Sequence, residues 1–414
     1  MKLRLYCQGF GDCFLLQDKR TSFSMLIDCG VLGRPIEGRE RLGKVVDDIM
    51  GQTGGELDVL AVTHEHWDHL SGFYDCLESF KNLKVENIWM AWTEDPTDSL
   101  ALSLRGAGGR ARRQLLNGLE AGFLGADESR VAIDALQFFY PDLSAGSGLA
   151  AANARSCRSA LNNVLGLKNR QGRQPRIWYL SPGSTPDVGR DVGLQFFVLG
   201  PPRDVHLLKS EPGKNDLDTF PLVGFDASET LVSENCPFDS EWVKKLESES
   251  QPSGIANPGE WSDLALKLDA HTNNSSLVLA VMGGADKRFL LFPGDAQVGS
   301  WRSWERLTFP GVDLNRILGN TIFYKVGHHG SHNATLRSAV ERFPSHNRMA
   351  SFVPVSRGAA LDNGWRKIPY EPILNALAER GVVVRADEPC SHCCQAGEFL
   401  ADSEGLWVDF FPRW

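Results

Sequence analysis

The chain has 414 residues, 42% hydrophobic and 23% charged, the balance of a globular enzyme and not of a disordered or fibrous chain. A formal net charge of −9 argues against non-specific adhesion to nucleic acid over the whole surface, and nine cysteines spread from Cys7 to Cys394 do not form the dense framework of a small secreted scaffold. No stretch reaches the roughly 18–20 apolar residues of a membrane span and the N-terminus lacks a signal-peptide pattern, so reduced thiols, a cytoplasmic location and no membrane partner are expected.

Residues 1–30 read as three strands, LRLYC, CFLLQD and SFSMLIDCG, the first two joined by the turn QGFGD. Apolar residues at Leu42, Val45, Val46, Ile49 and Met50 have helical spacing, and LDVLAVTH reads as a buried strand ending at Thr63. A helix from about Leu70, a strand LKVENIWMAW and a helix over 99–124 continue an alternating αβ pattern. A helix near 157–167 and the strands RIWYLS and LQFFVLGPP come next. The polar stretch 203–269 has weak periodicity and reads as loops and short helices. Strands SSLVLAVMG, RFLLFPG, NTIFYKVG and MASFVPVS, a helix EPILNALAERG and strands VVVRAD and GLWVDFFP complete the chain, in which no internal repeat is visible.

The strongest chemical signal is T-H-E-H-W-D-H-L-S-G over 63–72, where His64, His66, Asp68 and His69 crowd together directly after an apolar strand. A strand end turning into a helix lets alternate residues project to one side. His64 and His66 then hold one metal while Asp68 and His69 reach a second; histidine suits zinc, and the carboxylate widens the choice to manganese or iron.

This segment resembles the H-x-H-x-D-H signature of the metallo-β-lactamase superfamily. The resemblance implies an α/β fold, a four-layer αββα sandwich, here one domain over 1–414 enlarged by insertions at about 100–270. It implies an acidic residue closing an early strand, met by Asp28 in LIDCG, and a further histidine before a strand pair, met by His271. It also implies an aspartate bridging both metals, met by Asp295 in LLFPGDAQ, and a last histidine after a later strand, for which YKVGHHGSHNAT offers His328 and His329. Spacing after the strand favours His328. Within the superfamily, GFGDCFLL with LIDCG, NNSSLVL and KVGHHGSH resemble the nuclease-like domains of bacterial competence DNA-uptake channel proteins.

The resemblance thus implies two divalent metal ions, zinc first and manganese second, bridged by Asp295 and activating water for hydrolysis. Phosphodiesterase or nuclease activity is the expectation, on nucleic acid or another phosphodiester. Asp28 would orient a metal-bound imidazole, and His332 with Ser331 would donate to a phosphate oxygen or a leaving group. The rival enzyme reading is hydrolysis of a small-molecule ester, thioester or lactam; a third is a catalytically degenerate binding module, which metal content would separate from the others. The enlarged segment would cover the cleft until a regulatory protein or a protease acts on it. Cys390, His392, Cys393 and Cys394 are packed too closely for an ordinary structural zinc site. Arg110, Arg112 and Arg113 read as a solvated basic helix face, and Trp67 and Trp365 as stacking surfaces near the cleft.

Overall fold

Period-two alternation along the strands decides which layer each side chain enters. The computed structural model describes residues 1–32, 35–122, 126–141, 155–210, 216–220, 258–345, 349–362, 367–388, 399–412 and 414. In strands β1 (Lys2–Tyr6), β2 (Phe14–Asp18) and β3 (Phe23–Ile27), Leu3, Leu5, Phe14, Leu16, Phe23, Met25 and Ile27 enter one apolar cluster. Their neighbours Leu15 and Leu26 enter another, with Leu42, Val45, Val46 and Ile49 of helix α1 (Pro35–Thr53). The first cluster lies between two sheets and the second lies under the helices.

Among the described residues the strands form two sheets. The first has eight strands: β1 to β3, then β4 (Glu56–Ala61), β5 (Lys84–Ala91) and β6 (Arg176–Leu180), with Phe399–Ala401 and Trp407–Phe410 added beside β1. The second has six: β7 (Leu194–Gly200), β8 (Val278–Gly283), β9 (Arg288–Phe292), β10 (Thr321–Lys325), β11 (Met349–Val353) and β12 (Gly381–Arg385). Both sheets follow one plan. β1, β2 and β3 are antiparallel and β3 to β6 are parallel; β7, β8 and β9 are antiparallel and β9 to β12 are parallel. The αββα sandwich expected from the signature is therefore present. It carries a repeat of strand order that the amino-acid sequence does not display.

Helices in the enlarged segment are α2 (Ser99–Glu120), α3 (Ala126–Leu136), Cys157–Leu165 and α4 (Pro258–Asn274). The segment is no separate insert, because β6 and β7 within it are edge strands of the two sheets. Helix α4 departs from the expected loops: its buried Leu264, Ala265 and Leu268 join the apolar cluster beneath the helices, so packing stabilises a helix whose own periodicity is weak. Residues 211–215 and 221–257, Trp365 and the cysteine-rich 390–394 lie outside the described residues. No described helix is long and apolar enough to cross a membrane. Among the described residues, Cys13, Cys29, Cys76 and Cys157 are free cysteines.

Phe323 of β10 is fully buried between the sheets, with ring centroids 5.5 Å from Phe292 and 5.7 Å from Phe410. Phe323→Ala should cost about 3–5 kcal/mol through lost transfer energy and an unfilled cavity. Urea unfolding followed by circular dichroism measures it; a cost under about 1 kcal/mol would contradict this packing.

Candidate metal centre

The carboxyl ends of parallel strands β3, β4, β9 and β10 supply the polar residues, the usual place for a site in sheets of this kind. Asp28 follows β3, the signature follows β4, Asp295 follows β9, and His328 and His329 follow β10. Two glycines let the segments close up. A Cβ on Gly30 would stand 2.3 Å from the Asp68 carbonyl carbon, and one on Gly11 2.5 Å from the Asp68 oxygen. Asp12 in turn donates its backbone N–H to that oxygen at 3.1 Å.

Four side chains converge tightly: Asp68, His69, Asp295 and His329, all buried, present ligand atoms within 4.8 Å of one another. His69 Nε2 lies 3.2 Å from Asp295 Oδ2 and 3.6 Å from Asp68 Oδ2, and His329 Nε2 lies 3.2 Å from Asp295 Oδ2 and 2.7 Å from Asp68 Oδ2. A tetrahedral ion with metal–nitrogen bonds of about 2.0–2.1 Å needs donors about 3.4 Å apart. Three of the four separations are close to that edge and the fourth needs only a small opening, so the residues fit a divalent cation. Asp68 Oδ1, a buried atom without a hydrogen-bond partner among the described residues, points the same way.

The remaining groups set tautomers. His69 Nδ1 faces Asp28 Oδ2 at 2.8 Å, which leaves Nε2 to the ion position. Asp28 also accepts from the Thr63 amide and hydroxyl at 2.8 and 2.6 Å. His64 Nε2 and His66 Nδ1 face each other at 3.1 Å, a spacing that fits a second ion between them. Asp269 Oδ1 stands 3.8 Å from the opposite nitrogen of His66. Phe138 and Phe139, just after α3, pack on the His66 ring with centroids 5.1 and 4.8 Å away, so the enlarged segment roofs this part of the signature.

Of the histidine doublet, His329 joins this cluster and His328 does not. Both residues have left-handed backbone, with φ of 43° and 54°, and this pair of turns sends His329 inward and His328 aside. Spacing after a strand presumes extended backbone, which is why it favours the other member. His328 sits between Asn273 Nδ2 on Nε2 and Gln297 Nε2 on Nδ1, each at 3.2 Å. A neutral ring needs one donor and one acceptor there; Asn273 Oδ1 and Gln297 Oε1 are both unpartnered, so turning one amide over satisfies the cage.

His271 is not brought to the centre. It lies in the last turn of α4, two residues from Asp269 and from Asn273, which face the site, and so on the other side of the helix. There it lines a crevice with Arg110, Arg112, Lys209 and Lys267, and burial with Lys209 and Lys267 lowers its pKa to about 4. His332 is likewise turned aside, its ring 6.4 Å from Tyr370, and burial with Lys367 lowers its pKa. Ser331 donates its hydroxyl to Asn333 at 2.8 Å. Trp67 is a core residue, 2% exposed beside Tyr74 and under the Arg155 guanidinium, and not a stacking surface.

Sequence reasoning missed Asp12, Lys325, Asp269 and Asn273. Lys325 is 1% exposed and bonds Asp12 Oδ2 at 2.7 Å and Asp295 Oδ1 at 2.8 Å. The visible signal was a lysine in an otherwise apolar strand, which demands a buried counter-charge.

Burial holds His64 well below the usual imidazole range and His66 down to about 3, so both are neutral, ligand-ready rings. For His329 burial pulls down, but Asp295 and Asp68 outweigh it and raise the pKa to about 9; His69 is raised well above its usual value against burial, chiefly by Asp295 and Asp68. Burial followed by Asp68 and Asp295 pushes Asp269 up to about 7.

Two measurements follow. His329→Ala should lose about one bound zinc per chain by elemental analysis after desalting, whereas His328→Ala should weaken affinity no more than the roughly 10–100-fold of an outer partner; the reverse ranking would refute the assignment. For metal-free protein, the proton on His329 contributes stability that is complete below about pH 6.5 and lost as pH rises through about 9. Thermal unfolding in chelator should show that decline, and saturating zinc should flatten it because a cation replaces the proton.

Comparison with known proteins places the signature. Residues 8–100 match the family model of the metallo-beta-lactamase superfamily. No curated protein matches the chain. Among solved structures, the metallo-beta-lactamase fold protein YhfI from Bacillus subtilis is 11% identical, with a TM-score of 0.22; the match covers 48% of this chain and spans about half, 52%, of that one. The matched residues 8–100 contain the signature, and the αββα sandwich around it is the fold expected of that superfamily.

Proposed function

We propose that the protein is a metal-dependent phosphodiesterase, acting on nucleic acid or another phosphodiester. The observation that carries this reading is the charge beside the centre. The crevice lined by Arg110, Arg112, Lys209 and Lys267 borders the signature at Glu65, which lies between His64 and His66. With Arg105, five cations line that crevice against the two carboxylates Glu65 and Glu94, Arg112 pairing with Glu65 at 3.7 Å, and the surplus, on a chain of net charge −9, favours an anionic substrate over a neutral ester or lactam. The GHHGSH segment, similar to competence-type nuclease domains, agrees with it.

Two divalent cations, zinc or manganese, would be held by His64 with His66 and by Asp68, His69 and His329, with Asp295 between them, and would supply positive charge for the attacking and departing oxygens. The chain's own residues do the rest. Asp28 accepts a hydrogen bond from His69 Nδ1–H and keeps Nε2 forward. Thr63 holds Asp28 in place through two hydrogen bonds. Phe138 and Phe139 cover His66 and keep water from that side. The crevice cations bind the phosphate backbone and set its direction towards the centre.

The test is hydrolysis of bis(p-nitrophenyl) phosphate, single- and double-stranded DNA and RNA with zinc or manganese. Asp68→Ala and Asp295→Ala should each lose more than the roughly 100-fold that outer partners cost. Arg110→Glu with Lys209→Glu should raise KM for nucleic acid and leave turnover of the small diester near wild type, and KM should rise with salt. A fully metallated protein that cleaves neutral esters and no diester would overturn the proposal.

A further inference from the structure

Lys325 closes β10, in a strand otherwise read as Thr-Ile-Phe-Tyr, and its side chain is 1% exposed. An ammonium group has three protons and no acceptor. Here it meets three acceptors: the Gly294 carbonyl at 2.7 Å, Asp295 Oδ1 at 2.8 Å and Asp12 Oδ2 at 2.7 Å. Every proton is used. Asp295 Oδ1 also accepts the backbone N–H of His328 at 3.2 Å, and the Asp295 amide is fixed by Ser276 Oγ at 3.0 Å.

The Asp295 carboxylate is therefore divided. One oxygen is taken by donors of the chain, while Oδ2 faces His69 Nε2 and His329 Nε2, each 3.2 Å away. A carboxylate left to itself can grip a cation with one oxygen or with both, and the choice changes the coordination number. We propose that Lys325 is a positioning residue which, by holding Oδ1 of Asp295, restricts that carboxylate to cation binding through Oδ2 alone. The inference rests on the cation-binding part of the functional reading and needs no phosphodiester substrate. Asp12 completes the lysine's pairing at 2.7 Å.

The geometry distinguishes this from a buried ion pair that only stabilises the fold. Asp12 and the Gly294 carbonyl would hold an ammonium in place by themselves. The third bond goes to Asp295, whose other oxygen faces His69 and His329.

The experiment uses the full chain loaded with cobalt(II), whose visible absorption weakens as its coordination number rises. Lys325→Met removes the ammonium and keeps the chain length; Arg4→Met breaks a buried ion pair with Asp48 and Asp409 that is no part of the centre. Lys325→Met should lose band intensity relative to wild type, and Arg4→Met should retain the wild-type spectrum. An unchanged spectrum in folded Lys325→Met would overturn the proposal, as would the same change in both variants, which would mark a general loss of stability. A cobalt-loaded crystal structure of the wild type tests it without any variant: Asp295 should bind through Oδ2 with Oδ1 still on Lys325, and two metal–oxygen bonds from Asp295 to one ion would refute it. Wild type that takes up no cobalt would remove the cation-binding reading and this inference together, whereas normal cobalt spectra without diester hydrolysis would remove only the substrate assignment.

Discussion

Four aspartates, Asp12, Asp28, Asp68 and Asp295, are buried in one place with no more than 1% of their surface exposed. Ionised carboxylates taken out of water are prohibitively costly unless positive charge and hydrogen bonds replace the lost hydration. Lys325 supplies one charge to Asp12 and Asp295, and the His69 and His329 rings supply the others when they carry protons. A divalent cation can stand in for those two protons. The centre is thus an acidic site that the fold closes around positive charge, a setting that fits a divalent cation.

The scaffold meets the constraint through backbone features that the side chains alone do not reveal. Gly11 and Gly30 bring two loops against the Asp68 peptide, where any Cβ would collide. Asp28 adopts φ of 54°, and the two residues of the histidine doublet are left-handed as well. Such conformations are unfavourable for non-glycine residues and persist where surrounding bonds over-determine them. Asp28 has those bonds: its carboxylate is held by the Thr63 amide, the Thr63 hydroxyl and His69.

Much of this was legible in the sequence. The strands were visible as apolar runs, because both faces of the sandwich's parallel strands are covered. The signature histidines and Asp295 were visible because polar residues directly after such runs have few structural explanations. The second cation group was harder. His329 could be told from His328 only once the left-handed turns were seen, since local spacing assumes an ordinary backbone. Helix α4 was hidden because tertiary packing of Leu264, Ala265 and Leu268 stabilises it, and with the helix went the placement of Asp269, Asn273 and His271. Asp12 and Lys325 are 313 positions apart in number, and their meeting is a property of the closed sandwich.

The repeated strand order gives the centre a composite origin. The first sheet brings Asp28 and the signature; the second brings Asp295, Lys325 and the doublet. Neither sheet owns enough donors to close a tetrahedron around either ion position, so strong binding exists only after the sheets have docked. A cation held there would be a clasp across the molecule's midline, its binding energy adding to the docking of the two sheets.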